Sequence, residues 1–450
     1  MSRLAGALVV AAFGAMALAP SAHAVPSFVR QTGMTCAQCH VMFGAPVPNF
    51  TFTGKKFRLN GYRVPFVTDK VEAGKVGAVS GRRLAISLFP YLSLRYQSVF
   101  AQQAKAPGAT AAGPITSNPT SRLAIFTGGP VADYFGLWTE MYLTPDGSAT
   151  GEWTLGLFSF DEYDLRFTKS SGNNVFGLAF NNQGISEVSG FGPWPIATGD
   201  QTNRGGFQGW SHPNRGNLIA YTYLNDQLLV AGGASPGENN LDWKKLNYLG
   251  QVAFAPFHGD ERELWLNVMF RAGNDAIPIL TNNVPNAARG WTYTDAVGGL
   301  ATTAGARGTA TAYNFNDMDH FSRVTGQLRY SFIDRGPHSM EAFGGVSMNK
   351  ETYTDAAETT QNSVAGALRY VYNRTYGLDL LVQKNTKYQY TGPTGTVFDI
   401  ANKVNYSMYG TFQPAMNIIL ALRYGSSQST TLNAAALTGW SWTVNIDYLF

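Results

Sequence analysis

The chain has 450 residues, of which 14% are charged, and a formal net charge of +4; an average globular protein has roughly 25% charged residues. So small a positive balance argues against a nucleic-acid-binding surface. Aromatic residues make up 13% and there are 49 glycines, a composition suited to a surface that meets lipid. The only cysteines, Cys36 and Cys39, exclude a framework of several disulfides.

The first expected element is an export signal. Arg3 supplies a positive start, Leu4 to Leu18 is uncharged and mostly apolar, and Ala22-His23-Ala24 is a small-x-small cleavage site. Residues 1–24 therefore read as a signal peptide, with Val25 as the first mature residue. The alternative, a retained anchor, is disfavoured by the short apolar stretch and the cleavage site after it. No later segment is long and apolar enough to cross a membrane as a helix.

The second element is a Cys36-Ala-Gln-Cys39-His40 sequence, the attachment pattern for c-type haem. Each thiolate adds across one porphyrin vinyl, the two-residue gap matches the vinyl spacing, and the adjacent histidine supplies one axial nitrogen to the iron. Cys36, Cys39 and His40 are thus the expected sites for one covalently attached haem c, with His40 as the metal ligand. Three other readings exist. A redox dithiol needs a βαβ context, a zinc site needs a further ligand, and a simple disulfide leaves the histidine unexplained. For the opposite face of the iron the sequence does not name a ligand: Met34 and Met42 stand beside the attachment site, His212, His258, His320 and His338 read first as solvated loop residues, and an open position is the further alternative.

From about residue 84 onward the pattern has period two. Leu264, Leu266, Val268 and Phe270 alternate with Glu263, Asn267 and Arg271, and Trp440 to Phe450 alternates in the same way. Sixteen segments are expected, near 84–97, 121–128, 131–143, 160–168, 174–181, 216–224, 228–234 and 247–257, then 261–271, 318–332, 338–349, 363–373, 376–385, 403–413, 416–425 and 440–450. Short connections, among them Gly129-Pro130, Asn225-Asp-Gln227, His258-Gly-Asp260, Arg374-Thr375 and Pro414-Ala415, alternate with long ones. That rhythm is expected of an antiparallel outer-membrane β-barrel, whose closed sheet pairs every backbone group within lipid. A soluble β-sandwich would explain the period but not the rhythm. Glu162, Asp164, Arg166, Arg323, Arg329, Arg369, Arg423 and Asp447 then read first as lining of a polar lumen.

The expected organisation is a signal peptide at 1–24, a monohaem cytochrome segment at 25–79 and a barrel of about sixteen strands at 80–450. The middle segment is short for an independent core. Haem attachment and enclosure in the lumen as a plug would both stabilise it. Arg30, Lys55, Lys56 and Arg58 read either as partners for haem propionates or as solvated charges.

The stretch from Pro26 and Phe28 through Arg30-Gln-Thr-Gly33 to the haem pattern, then Phe57 and Gly61-Tyr62, resembles the fused monohaem cytochrome–porins of iron-oxidising bacteria. The resemblance implies an outer-membrane electron conduit. Extracellular Fe(II), or another one-electron donor, would be oxidised, and the electron would pass through the haem to a periplasmic cytochrome. A single haem suits a one-electron donor, and oxidising iron outside keeps insoluble Fe(III) off the periplasm. Two other functions compete: a porin passing small polar solutes with a haem-bearing structural plug, and a periplasmic cytochrome with an unusual β-domain. No group of acidic residues and histidines has the spacing of an iron site; Asp317, Asp319 and His320 read as solvated residues at a strand entrance.

Overall fold

The computed structural model describes residues 27–32, 34, 36–40, 50–63, 92–105, 113–143, 158–182, 184, 185, 188, 216–236, 246–259, 261–273, 293–294, 299–300, 318–333, 337–353, 358–391, 395, 397–399, 404–415, 418–429 and 437–449. The expected signal peptide, Met42, His212, Asp317, the terminal Phe450 and residues 64–79 of the expected haem segment lie outside them.

Three short helices come first: α1 (Ser27–Thr32), α2 (Cys36–Cys39) and α3 (Phe52–Leu59). The strands are β1 (Leu92–Lys105), β2 (Ile115–Ala132), β3 (Phe135–Leu143), β4 (Phe158–Ser171), β5 (Asn174–Asn181), β6 (Asn217–Leu224), β7 (Leu228–Pro236), β8 (Leu246–Phe257) and β9 (Arg262–Gly273). A small hairpin of β10 (Tyr293–Thr294) and β11 (Gly299–Leu300) precedes β12 (Met318–Ile333), β13 (His338–Tyr353), β14 (Glu358–Tyr372) and β15 (Tyr376–Thr391). Then follow β16 (Val397–Asp399), β17 (Asn405–Ala415), β18 (Ile418–Ser429) and β19 (Leu437–Leu449).

Sixteen of these strands close into an antiparallel barrel: β1 to β9, β12 to β15 and β17 to β19. β9 pairs with β12, β15 with β17, and β1 bonds both β2 and β19, so no edge is left. The seam is in register from Arg95 opposite Leu449 to Gln102 opposite Trp442. β16 adds a short extra strand along the end of β15.

The barrel is turned inside out relative to a soluble protein. Along β9, Glu263, Trp265, Asn267, Met269 and Arg271 are buried, while Leu266, Val268 and Phe270 are exposed. The same inversion exposes Leu218, Val252, Val346 and Leu380. An apolar exterior over a polar interior is stable where the outer solvent is lipid. Aromatic rings mark both rims of this band. Tyr376 stacks on Phe412 and Phe135 meets Phe167 near the short turns, while Tyr406, Tyr424 and Trp440 form a chain at the other end. Rings with a polar tip favour the membrane–water interface. The fold is therefore that of a bacterial outer-membrane β-barrel, with its short turns on the periplasmic side.

Two expectations about the first strands need correcting. β1 runs from Leu92, so it reaches eight residues past the expected end of 97; residues 84–91, which include Pro90, lie outside the described ones. Gly129-Pro130 is not a turn. β2 continues to Ala132, and the reversal falls at Asp133-Tyr134. Pro130 is tolerated because the register slips just after it, at a bulge where its missing N–H is not required. The Asn225-Asp226 turn is as expected, and the turn expected at Arg374-Thr375 begins one residue earlier, at Asn373. Asn225 and Asp226, like Asn373 and Arg374, have positive φ, between 50° and 60°, which suits a tight hairpin.

Candidate functional site

α3 has only eight residues, too few to be stable alone. Its first turn is capped within the chain, since the Thr51 hydroxyl accepts from Gly54 N–H at 3.1 Å. Its last turn is completed by the barrel. The terminal carbonyls of a helix have no partner of their own. Here Arg166 of β4 donates to Arg58 O at 2.8 Å, the Tyr221 hydroxyl of β6 donates to Leu59 O at 2.6 Å, and the Thr168 hydroxyl donates to Asn60 O at 3.2 Å. The guanidinium also sits at the negative end of the helix dipole, where a cation is favoured.

The side chains of α3 complete the dock. Lys55 pairs with Glu263 and lies 5.8 Å from the Trp265 ring centre. Lys56 pairs with Asp226 at 2.8 Å, and Arg58 approaches Asp164 at 3.6 Å. All three cations are buried. They are not solvated charges: they hold α3 to inward-facing acids of the wall, and Lys56 and Arg58 also lie over the Phe52 and Phe50 rings. Asp164 and Arg166, read from the sequence as lining, are contacts of this plug. Burying these charges is tolerable only because each has a partner of opposite sign.

Beyond α3 the chain turns at Gly61 and Tyr62, with φ of 66° and 62°. The positive φ suits a glycine at 61, and close packing demands a second one on the wall. Gly136 of β3 packs on the Gly61 carbonyl, and a Cβ on Gly136 would run into it. Tyr62 keeps its left-handed conformation because both ends of its ring are fixed. It stacks on Phe28 at 5.4 Å, and its hydroxyl donates to Asp164 at 2.6 Å. Burial, together with the Asp164 charge, pushes the Tyr62 hydroxyl well above its usual range, so it keeps the proton it donates. Phe28 also meets Phe57 edge-on at 5.1 Å, and Gln31 of α1 donates to Gly128 O of β2 at 2.6 Å. Phe28, Phe57, Gly61 and Tyr62, part of the resemblance motif, are thus the residues that fold and seat the plug.

The Cys-x-x-Cys-His stretch is attached to this plug. Cys36 and Cys39 are the two ends of the single turn α2, three residues apart and so on one helix face. Thr51 N–H donates to Cys39 O at 2.9 Å, the Thr51 hydroxyl donates to Gln38 O, and Gly54 lies so close to the Cys39 carbonyl that a Cβ there would clash. His40 forms an isolated bridge with Phe50 and its ring lies 5.0 Å from the Phe50 ring. Burial pulls the His40 imidazole down to about 4, leaving it neutral near pH 7, the form that ligates a metal. Two cysteines three residues apart on one helical turn, followed by a neutral imidazole, are a sequence of donors that fits haem c. The glycine contact holds the turn against α3.

Of the described histidines outside this stretch, His258 reaches the plug, where it stacks on Phe52 at 5.0 Å. His320 bonds Thr352 and His338 bonds Tyr370, each on the barrel. No group of three or more His, Cys, Asp or Glu that could hold a metal ion occurs among the described residues. The plug lies at the periplasmic end: its partners Ala132, Asp226 and His258 belong to, or border, short turns.

No protein-family model matches the chain, and no curated protein does. Among solved structures, it is similar to the outer-membrane channel DcaP of Acinetobacter baumannii, at 10% identity and a TM-score of 0.46, over 80% of this chain and 96% of that one. It is also similar to a loop L8 deletion mutant of OmpT, an outer-membrane protein of Vibrio cholerae, at 11% identity and a TM-score of 0.45, over 80% of this chain and 98% of that one.

Proposed function

We propose that this protein is a porin-type outer-membrane barrel whose lumen carries a haem-bearing plug. The observation behind this is the contact between the Cys36–His40 stretch and α3, a helix whose charges and carbonyls are bonded to the inside of the wall. Cys36 and Cys39 would hold the porphyrin, and His40 would supply a neutral nitrogen to one face of the iron. Phe50 and the Thr51–Cys39 hydrogen bond fix the histidine's approach. Bound there, haem c supplies a one-electron redox centre. In this reading the polar wall passes small solutes, and the plug narrows the path.

A second reading has its own support. Far-wall lining residues Arg323, Glu351 and Arg369 are also shut off from solvent, with exposures of 0%, 0% and 1%. A wide water-filled pore would hydrate them. This favours a closed barrel that carries electrons instead of solutes. Fe(II) or another one-electron donor outside would be oxidised, and a periplasmic cytochrome would accept the electron at the short-turn face.

Reconstitution into liposomes separates the two. Swelling in small polar solutes, with no change in haem absorption on adding Fe(II), supports the channel. A sealed vesicle whose haem absorption shifts to the reduced form on adding Fe(II) supports the conduit. Purified full-length protein without covalently bound haem would overturn both.

A further inference from the structure

Arg166 does more than cap α3. Its Nη1 donates to Arg58 O at 2.8 Å and also to Val188 O at 2.8 Å. Val188 belongs to the connection between β5 and β6, which leaves the barrel at the end opposite the short turns. Ile185 and Val188 are fully buried in one cluster with Leu59 of the plug and with Val175, Ala179, Ile219 and Tyr221 of the wall. This limb of the connection therefore lies inside the lumen, against the plug.

The other donors of Arg166 are directed at Asp164. Nε and Nη2 bond that carboxylate at 2.9 and 2.7 Å, and the same carboxylate accepts the Tyr62 hydroxyl. The guanidinium also lies 5.6 Å from the Tyr62 ring centre and 5.7 Å from that of Tyr221. One fully buried, planar group thus joins plug, wall and outer connection. The rigid fork of an arginine can do this where the single point of a lysine ammonium cannot.

We infer that Arg166 couples the outer β5–β6 connection to the lumenal plug, so that neither shifts without loosening the other. If the connection leaves, the guanidinium loses one acceptor, and its orientation toward Arg58 O is no longer fixed. If the plug leaves, Asp164 loses Tyr62 and Arg58, and Val188 loses Leu59 beside it. Coupling of this kind is reciprocal by thermodynamic necessity. An event on the outer surface that draws on this connection would therefore be felt where the Cys36–His40 stretch is anchored. The inference does not depend on what that stretch carries.

Hydrogen-exchange mass spectrometry of the full-length protein in lipid nanodiscs tests it. The peptides to follow cover residues 181–188, where Gly184 N–H donates to Asn181 at 2.8 Å, and residues 52–62, where Asn60 N–H donates to Lys56 O at 2.9 Å. Arg166→Lys should speed exchange in both peptides together, by about tenfold or more, as expected for losing hydrogen bonds to a charged group. Tyr62→Phe keeps the plug's shape and touches only its bond to Asp164, and should also speed 181–188. The inference fails if Tyr62→Phe loosens 52–62 while 181–188 keeps its wild-type rate. It fails equally if Arg166→Lys loosens one peptide alone. Should Arg166→Lys not assemble, Tyr62→Phe decides.

Discussion

The two halves of the barrel wall handle buried charge differently. On the far side each arginine finds its acid on the adjacent strand. Arg323 of β12 pairs with Glu351 of β13 and Arg369 of β14 with Asp379 of β15, while the Arg329–Glu341 pair of β12 and β13 stands close enough to the plug for its charges to act on Lys55. Those pairs form between neighbouring strands of the wall. On the near side, Asp164 holds Arg166 within the wall, but Glu263 and Asp226 turn to Lys55 and Lys56 of the plug. The near wall thus presents acids that the plug neutralises, together with a glycine that fits its backbone. The comparison teaches that the lumen is not uniformly lined. One side is wall, and the other is a dock whose occupant is encoded in the same chain.

The sharpest way to break this comparison is Lys55→Met. It leaves Glu263 buried opposite no cation, and should weaken plug seating by about 3–5 kcal/mol, the usual cost of removing one partner of a buried pair. Arg369→Met removes a buried partner on the far wall and should destabilise the barrel by a similar amount. Residues 52–62 should nevertheless stay as protected from hydrogen exchange as in the wild type. If both substitutions loosened the plug equally, the distinction between dock and wall would be lost.

Tyr62→Phe should weaken seating by about 1.5–3 kcal/mol, the range for a hydrogen bond to a charged group, read as faster exchange across 52–62. Gly136→Ala should act without touching any charge, because its methyl meets the Gly61 carbonyl; about 1–3 kcal/mol is expected for such overpacking. Susceptibility of the plug segment to added protease would report it.

The smallest effect is a dependence on alkaline pH. The Tyr62 hydroxyl is raised above its ordinary value of 10.0. A group so raised contributes stability that is complete below the unfolded value and declines as pH climbs toward the folded one. Plug protection should therefore fall above about pH 10 in the wild type, and this component should vanish in Tyr62→Phe.

Much of this architecture was legible in the sequence, for a definite physical reason. Strand alternation is a local property, so Glu263 to Phe270 declares its two faces within eight residues, and sixteen such segments close one barrel. Local readings failed where local chemistry is ambiguous. Gly129-Pro130 has the composition of a turn but lies at a bulge within β2. The dock was illegible. Lys55 and Glu263 are 208 residues apart, and nothing near either position announces the other. The buried partners of Lys56, Arg58 and Arg166 escaped for the same reason. The nearest sequence signal was the motif around Phe57 and Gly61-Tyr62, of which Gly61 and Tyr62 prove to meet the wall.

Zero-length carbodiimide coupling in isolated outer membranes, followed by peptide mass spectrometry, tests the seating of the plug most directly, because it joins only an amine and a carboxylate already in contact. The exposed Lys350–Glu358 pair, at 2.7 Å, serves as the internal control. Amide-linked peptides joining Lys55 to Glu263 and Lys56 to Asp226 are predicted. Lys55 and Lys56 linked to other carboxylates, or open to an amine-specific label as readily as the exposed Lys350, in samples where Lys350 and Glu358 do couple would contradict a plug held in the lumen by the near wall.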